Sequence, residues 1–268
     1  MVLRMKYAWI VTSALVFRVM VASGAATTQS SIESVGERVP SEDSVLADFH
    51  SLGLIEGQTD IFRCASPVHD LGKPAPTTRQ SDEEIDIAKA RMQRLYGLGI
   101  RTIISLEDAQ KPNEGGDPPN PAKAAALKRR VSLERMEAQE TGIRFVPMPM
   151  ANSGPGSLQD MSDVQVLDLL NRVTDEVFKD AKTGGVVFHC AAGHDRTGIV
   201  AAFIRIKYEH WPVDQAIDEM RRYGHNWVKF SNNGGTSSWH EDHLRAIASL
   251  LAQPTARSAA QQQEVGQQ

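Results

Sequence analysis

Apolar positions along this chain follow two periods, and their alternation sets out an architecture. Asp60 to Ala65 is a short strand candidate. Asp82 to Leu95 carries Ile85, Ala88, Met92 and Leu95 at helical spacing, with Ser81 as N-cap and Glu84 completing a capping box. Gly97 and Gly99 close that helix, and Ile100 to Leu106 reads as a buried strand. Lys111 to Pro121 is a loop, Ala122 to Gln139 a second helix, and Ile143 to Met150 a second strand. Asn152 to Gly156 is turn-rich, and Leu158 to Ala181 predicts a long helix. Thr183-Gly184-Gly185 then turns into the apolar strand Val186 to His189. Helices follow over Thr197 to His210, Val213 to Arg222 and His240 to Leu251. Strands alternating with helices imply an α/β fold: a central, mainly parallel sheet covered by helices on both faces. Ligands of such sheets bind beyond the carboxyl ends of the strands, where Cys190 falls.

The flanks read differently. Arg4 and Lys6 precede an apolar run from Tyr7 to Phe17, and Ser23-Gly24-Ala25-Ala26 offers small residues for cleavage. Residues 1–26 thus read as an export signal, placing the protein in the periplasm or outside the cell. An uncleaved membrane anchor is the alternative, but Arg18 interrupts the run. Residues 27–44 read as a polar spacer, 45–252 as the folded domain, and 253–268, with Gln261-Gln262-Gln263, as a disordered tail.

The net charge of −4 does not suggest a nucleic-acid binder, so an anionic substrate needs a local positive site. The two cysteines, Cys64 and Cys190, leave open a reversible bridge in an oxidising compartment; Cys64 as a buried small residue is the plainer reading. No metal-ligand cluster is legible among the eight histidines, and no cofactor is implied.

The loop from Cys190 to Arg196 joins a strand to a helix, as an anion site requires. Its backbone N–H groups can turn inward while the helix N-terminus supplies partial positive charge. Ala191 and Ala192 are small, Gly193 permits a tight path, and His194 adds a polar rim. The Arg196 guanidinium can hold two phosphate oxygens at once. The same positive surroundings lower the pKa of Cys190 toward a thiolate nucleophile. His189 orients the loop, and the Thr197 hydroxyl lies close enough to stabilise the sulfur as a leaving group.

His189 to Gly198 resembles the His-Cys-five-residues-Arg-Thr signature of the tyrosine and dual-specificity phosphatase superfamily. Ile61 to Pro67, Leu98 to Leu106, and Ala201 to Gly224 with Arg205 and Glu219-Met220 are similar to the neighbouring strands and helices of bacterial members. The resemblance implies a dual-specificity-like fold and a metal-free reaction through a cysteinyl-phosphate at Cys190. It also implies a role for Arg63 on the active-site face, in substrate binding or support. For the proton donor it offers Asp160, about thirty residues before the cysteine, then Asp195 inside the loop, then Asp163. Asp160 and Asp163 also suit ordinary helix capping.

The implied substrate is a phosphorylated protein or a small phosphate ester, with a tyrosine or dual-specificity protein phosphatase preferred. An inositol-phosphate (phytase-like) phosphatase is the alternative, and His194 stands where those enzymes carry Lys. A silent phosphate-binding module and a rhodanese-type sulfurtransferase are readings from other classes. Nothing implies nucleic acid, or membrane insertion once the signal is removed.

Overall fold

The computed structural model describes residues 46, 48–58, 60–71, 81–107, 121–152, 156–226 and 238–253. The export signal, the spacer, the Gln-rich tail from 254, the loop at 111–120 and the segment 227–237 lie outside the described residues. No helix among the described residues is long and apolar enough to cross a membrane.

The elements run β1 (His50–Ser51), β2 (Ile61–Ala65), α1 (Asp82–Gly97), β3 (Ile100–Ser105), α2 (Pro121–Thr141) and β4 (Arg144–Pro147). They continue α3 (Asp163–Asp180), β5 (Gly185–Cys190), α4 (Asp195–Tyr208), α5 (Val213–Arg222) and α6 (Trp239–Ala252). The sheet order is β1-β2-β5-β3-β4, with every pairing parallel except the antiparallel β1–β2 edge. The mainly parallel α/β sheet is as the alternating pattern predicts. The two-residue β1 carries no period to read, and its place comes from pairing His50 with Arg63.

Three boundaries shift for local reasons. β4 ends at Pro147, which has no N–H for the ladder, yet Met148 and Met150 still donate to Ser105 and Leu106 carbonyls at 2.8 and 3.1 Å. α3 begins at Asp163 rather than Leu158 because Ser162 and Gln165 form a capping box there. Leu158 is instead buried in the preceding turn, its N–H donating to Ala151. α4 starts two residues early, at Asp195, as the phosphate loop closes directly into its first turn.

Alternation along β5 divides the core. Val186, Phe188 and Cys190 face α3, α4 and α6, packing with Val166, Leu170, Ile199, Phe203 and Leu244. Val187 faces α1 and α2, with Met92, Leu95 and Leu133. Each fully buried side chain of this size contributes about 1.5–3 kcal/mol. α4 is buried from Arg196 through Ile206, which only a helix enclosed on all sides tolerates. At its start Gly198 meets α5 so closely that a Cβ would lie 2.6 Å from Met220 Cγ. At its end Arg205 holds Glu219 through two hydrogen bonds, of 3.0 and 2.9 Å, and the Leu52 carbonyl at 2.7 Å. That fork fixes α5 and the β1 region against α4.

Candidate active site

β5 lies at the centre of the sheet, flanked in parallel by β2 and β3, and delivers Cys190 to its carboxyl end. The loop behind Cys190 is held by its carbonyls. Ala191 O accepts from Ser66 N at 3.0 Å, Gly193 O from Arg63 Nη2 at 2.7 Å, and His194 O from Gly198 N at 2.8 Å. In a trans peptide the next N–H points opposite to the carbonyl, so tying these oxygens outward turns the amides of Ala192, His194 and Asp195 inward. Gly193 makes this path possible. Its φ is 76°, and a Cβ would lie 2.7 Å from the Cys64 and Ala65 backbone.

Cys190, Arg196 and Thr197 come together as the motif expects. Cys190 N donates to Thr197 Oγ1 at 2.8 Å, which brings that hydroxyl beside the sulfur. Arg196 is buried, and its Nη1 donates to the Leu106 and Met150 carbonyls at 3.1 and 3.3 Å, past the ends of β3 and β4. Burial alone would raise the Cys190 pKa. The Arg196 charge, the Thr197 hydroxyl and backbone, and the Gly193 backbone outweigh it, and the thiol sits below its ordinary value. Cys64 is the contrast: burial, then Glu134 and Cys190, push its pKa well up.

No disulfide links the two cysteines. Cys64 pairs in register with His189, and Cys190 with Ala65, so the two sulfurs leave opposite faces of the sheet. The reversible bridge left open by the sequence does not fit this register.

His189 is fully buried beneath the loop. Its Nδ1 lies 3.1 Å from the Cys190 carbonyl and its Nε2 2.7 Å from Glu134 Oε1. A carbonyl and a carboxylate beside the two ring nitrogens favour the imidazolium form. Burial opposes the charge, but Glu134, then Glu107 and the Cys190 carbonyl, raise the pKa to about 8. Glu107, itself buried, pairs with Arg130 of α2. The sequence did carry a signal for Glu134: it interrupts the stripe Leu127, Val131, Glu134, Ala138, three of whose members are apolar and buried.

The remaining expected residues are placed as follows. Ala191 and His194 are half-buried and Ala192 is exposed, forming the rim. His194 Nε2 lies 3.2 Å from Asp48 Oδ2. Arg63 is 1% exposed and lies behind the loop, between the Gly193 carbonyl and the Tyr223 ring 4.7 Å away. A side chain so enclosed is placed to support the loop from behind, the second of the two roles expected of it. Asp160 is exposed in the turn before α3, and its N–H donates to Ser157. Asp163 is committed to His243 Nδ1 at 2.6 Å. Asp195 Oδ1 lies 2.6 Å from His225 Nδ1, a partner the sequence did not suggest because the two lie 30 residues apart, with all of α5 between them. Among the described residues no group of side chains suits a metal ion.

Known proteins add a family. Residues 79–206 match the model of the tyrosine phosphatase family. Over 70 residues the chain is 33% identical to the dual specificity protein phosphatase TpbA of Pseudomonas aeruginosa (strain UCBPP-PA14), covering 26% of this chain and 30% of that protein. The chain thus spans under a third of the length of that curated relative. The crystal structure of P. aeruginosa TpbA aligns with 76% of this chain and 88% of its own, at 16% identity and a TM-score of 0.43. A kinase associated phosphatase with its catalytic cysteine changed to serine aligns over 80% and 99%, at 16% identity and a TM-score of 0.49. The match over residues 79–206 includes the complete motif at the head of β5, and over that stretch the chain is similar to the tyrosine phosphatase family.

Proposed function

We propose that the protein is a cysteine-dependent phosphatase that hydrolyses phosphate monoesters through a cysteinyl-phosphate. One observation carries the reading: a buried cysteine whose pKa is lowered against its burial, at the mouth of a loop closed by Arg196 and Thr197. In the first step the Cys190 thiolate attacks phosphorus, the phosphorus–oxygen bond breaks, and Asp160 protonates the departing oxygen. In the second, water attacks phosphorus and Cys190 leaves as thiolate, with the Thr197 hydroxyl beside the sulfur. The loop amides and Arg196 hold the phosphoryl oxygens throughout.

The preferred substrate is a phosphorylated tyrosine, serine or threonine in a protein, in keeping with the name of the TpbA relative. The contact between His194 and Asp48 favours this over an inositol polyphosphate, because it sets a carboxylate beside the rim position that would face the extra phosphates. The N-terminal pattern supports export to the periplasm or beyond, and N-terminal sequencing of the mature protein tests it. For activity, phosphate release from an aryl phosphate is the assay. Cys190→Ser should abolish it, and Arg196→Lys should lower kcat/KM by about 10²–10³-fold. Asp160→Asn should slow an alkyl phosphate far more than an activated aryl phosphate; equal losses would remove Asp160 from the role. Release that survives Cys190→Ser would overturn the phosphatase reading.

A further inference from the structure

The turn that carries Asp160 is pinned from α6. Ser157 O accepts from Asp160 N and Met161 N at 3.0 and 3.1 Å, so residues 157–161 form one tight unit. Leu158 is its peg: the side chain is fully buried in the core with Met150 and Val166, and both polar groups of its backbone are held. Its N–H donates to the Ala151 carbonyl at 2.8 Å, and its carbonyl lies 2.9 Å from His243 Nε2. A carbonyl only accepts, so Nε2 donates. The other ring nitrogen, Nδ1, lies 2.6 Å from Oδ1 of Asp163 in the first turn of α3, which fixes the orientation of the ring. Both anchors of the turn also meet the phosphate clamp. Ala151 follows Met150, whose carbonyl accepts from Arg196 Nη1 at 3.3 Å. His240, three residues before His243 on α6, is close enough to Arg196 for that charge to act on its ring. Turn and clamp are thus located by the same two segments, with Asp160 exposed two residues past the peg.

We infer that His243 is a positioning residue for the proton donor: its bond to the Leu158 carbonyl holds the turn so that the Asp160 carboxyl meets the departing oxygen. The inference rests on the phosphatase reading above, with Asp160 as its donor. In that step the Cys190 sulfur bonds to phosphorus and the phosphorus–oxygen bond breaks. Its electron pair stays on the departing oxygen, which takes the proton from Asp160. A departing alkoxide needs that proton, whereas the oxygen of an activated aryl phosphate leaves without it. Loosening the turn therefore shows on the alkyl substrate alone.

The two amide replacements of His243 separate positioning from packing. His243→Gln keeps a donor near the Nε2 position, within reach of the Leu158 carbonyl; His243→Asn keeps one near Nδ1, toward Asp163, and loses Leu158. In the full chain, His243→Asn should lower kcat/KM on an alkyl phosphate about 10–50-fold and on an activated aryl phosphate less than about threefold. His243→Gln should stay within about threefold of the parent on both. With Asp160→Asn already in place, adding His243→Asn should slow the alkyl phosphate by no more than about twofold further, since the proton it positions is gone. Equal losses on the two substrates, a Gln variant as slow as the Asn variant, or losses that multiply in the double variant would each overturn the inference. If His243→Asn fails to fold, Asp163→Ala decides. It frees the ring at a half-buried carboxylate and should slow the alkyl phosphate about 3–10-fold while sparing the aryl one; no selective loss overturns the inference. Silent His243 variants beside an Asp160→Asn that is selective for the alkyl phosphate sink only this inference. Equal losses in Asp160→Asn remove the donor and the inference together, and phosphate release surviving Cys190→Ser sinks the phosphatase reading itself.

Discussion

His189, beneath the phosphate loop, and His240, in the first turn of α6, are both fully shielded from solvent. One is pushed toward the cation and the other away from it. His189 meets Glu134 from α2, Glu107 from the end of β3 and the Cys190 carbonyl, and its pKa rises to about 8 despite burial. His240 stacks on Trp239 and faces His225, His243 and Arg196; burial, then interaction with these neighbours, drives its pKa well below the ordinary value. Burial opposes the charge on both rings, and only the carboxylates beside His189 overcome it. The α2 side of the loop is a sealed ion pair, whereas the α6 side keeps a neutral ring close to the phosphate clamp.

The largest test of this contrast removes the carboxylate. Glu134→Gln strands a buried imidazolium and should cost about 3–5 kcal/mol in urea unfolding. Adding His189→Asn should recover part of that loss, because the unpaired charge goes with it. Purely additive losses in the pair would break the contrast.

The next test is the alkaline limb of stability. His189 binds its proton more tightly folded than unfolded, so its contribution is complete below about pH 6.5 and is lost as pH rises through about 8. The loss should be ~2 kcal/mol. Denaturant midpoints measured against pH in Cys190→Ser check it. That background removes the thiol, whose lowered pKa gives the opposite slope.

The smallest effect lies on the acid side. His240 is held neutral, so below about pH 6.5 the unfolded chain binds the extra proton and stability falls as pH falls. His240→Phe should flatten that limb and leave the alkaline one in place. A variant that changes both limbs would show that the two sides of the loop titrate together.

How much of this was legible depended on whether the signal was local. Ser81 and Glu84 form the capping box that their spacing predicts, since a cap needs only four consecutive residues. The same local logic moved the start of α3 to Asp163, capped by Ser162 and Gln165. Glu134 was half legible as a charge in an apolar stripe, but its partner lies 55 positions away across the sheet. Arg63 read only as a residue of the active-site face, in substrate binding or support, because sequence does not show that Gly193 rests on β2. His225 could not be read at all, because its meaning is its 2.6 Å contact with Asp195.

The sequence by itself determined the order of strands and helices and the anion loop between Cys190 and Arg196, because periodicity and small-residue spacing act over short stretches of chain. Only the tertiary structure decided which charges lie behind that loop, which face each cysteine occupies, and which way the buried His189 and His240 are pushed. Those outcomes depend on strand register and on distant carboxylates brought into a dry interior, where a few ångströms set the ionisation state.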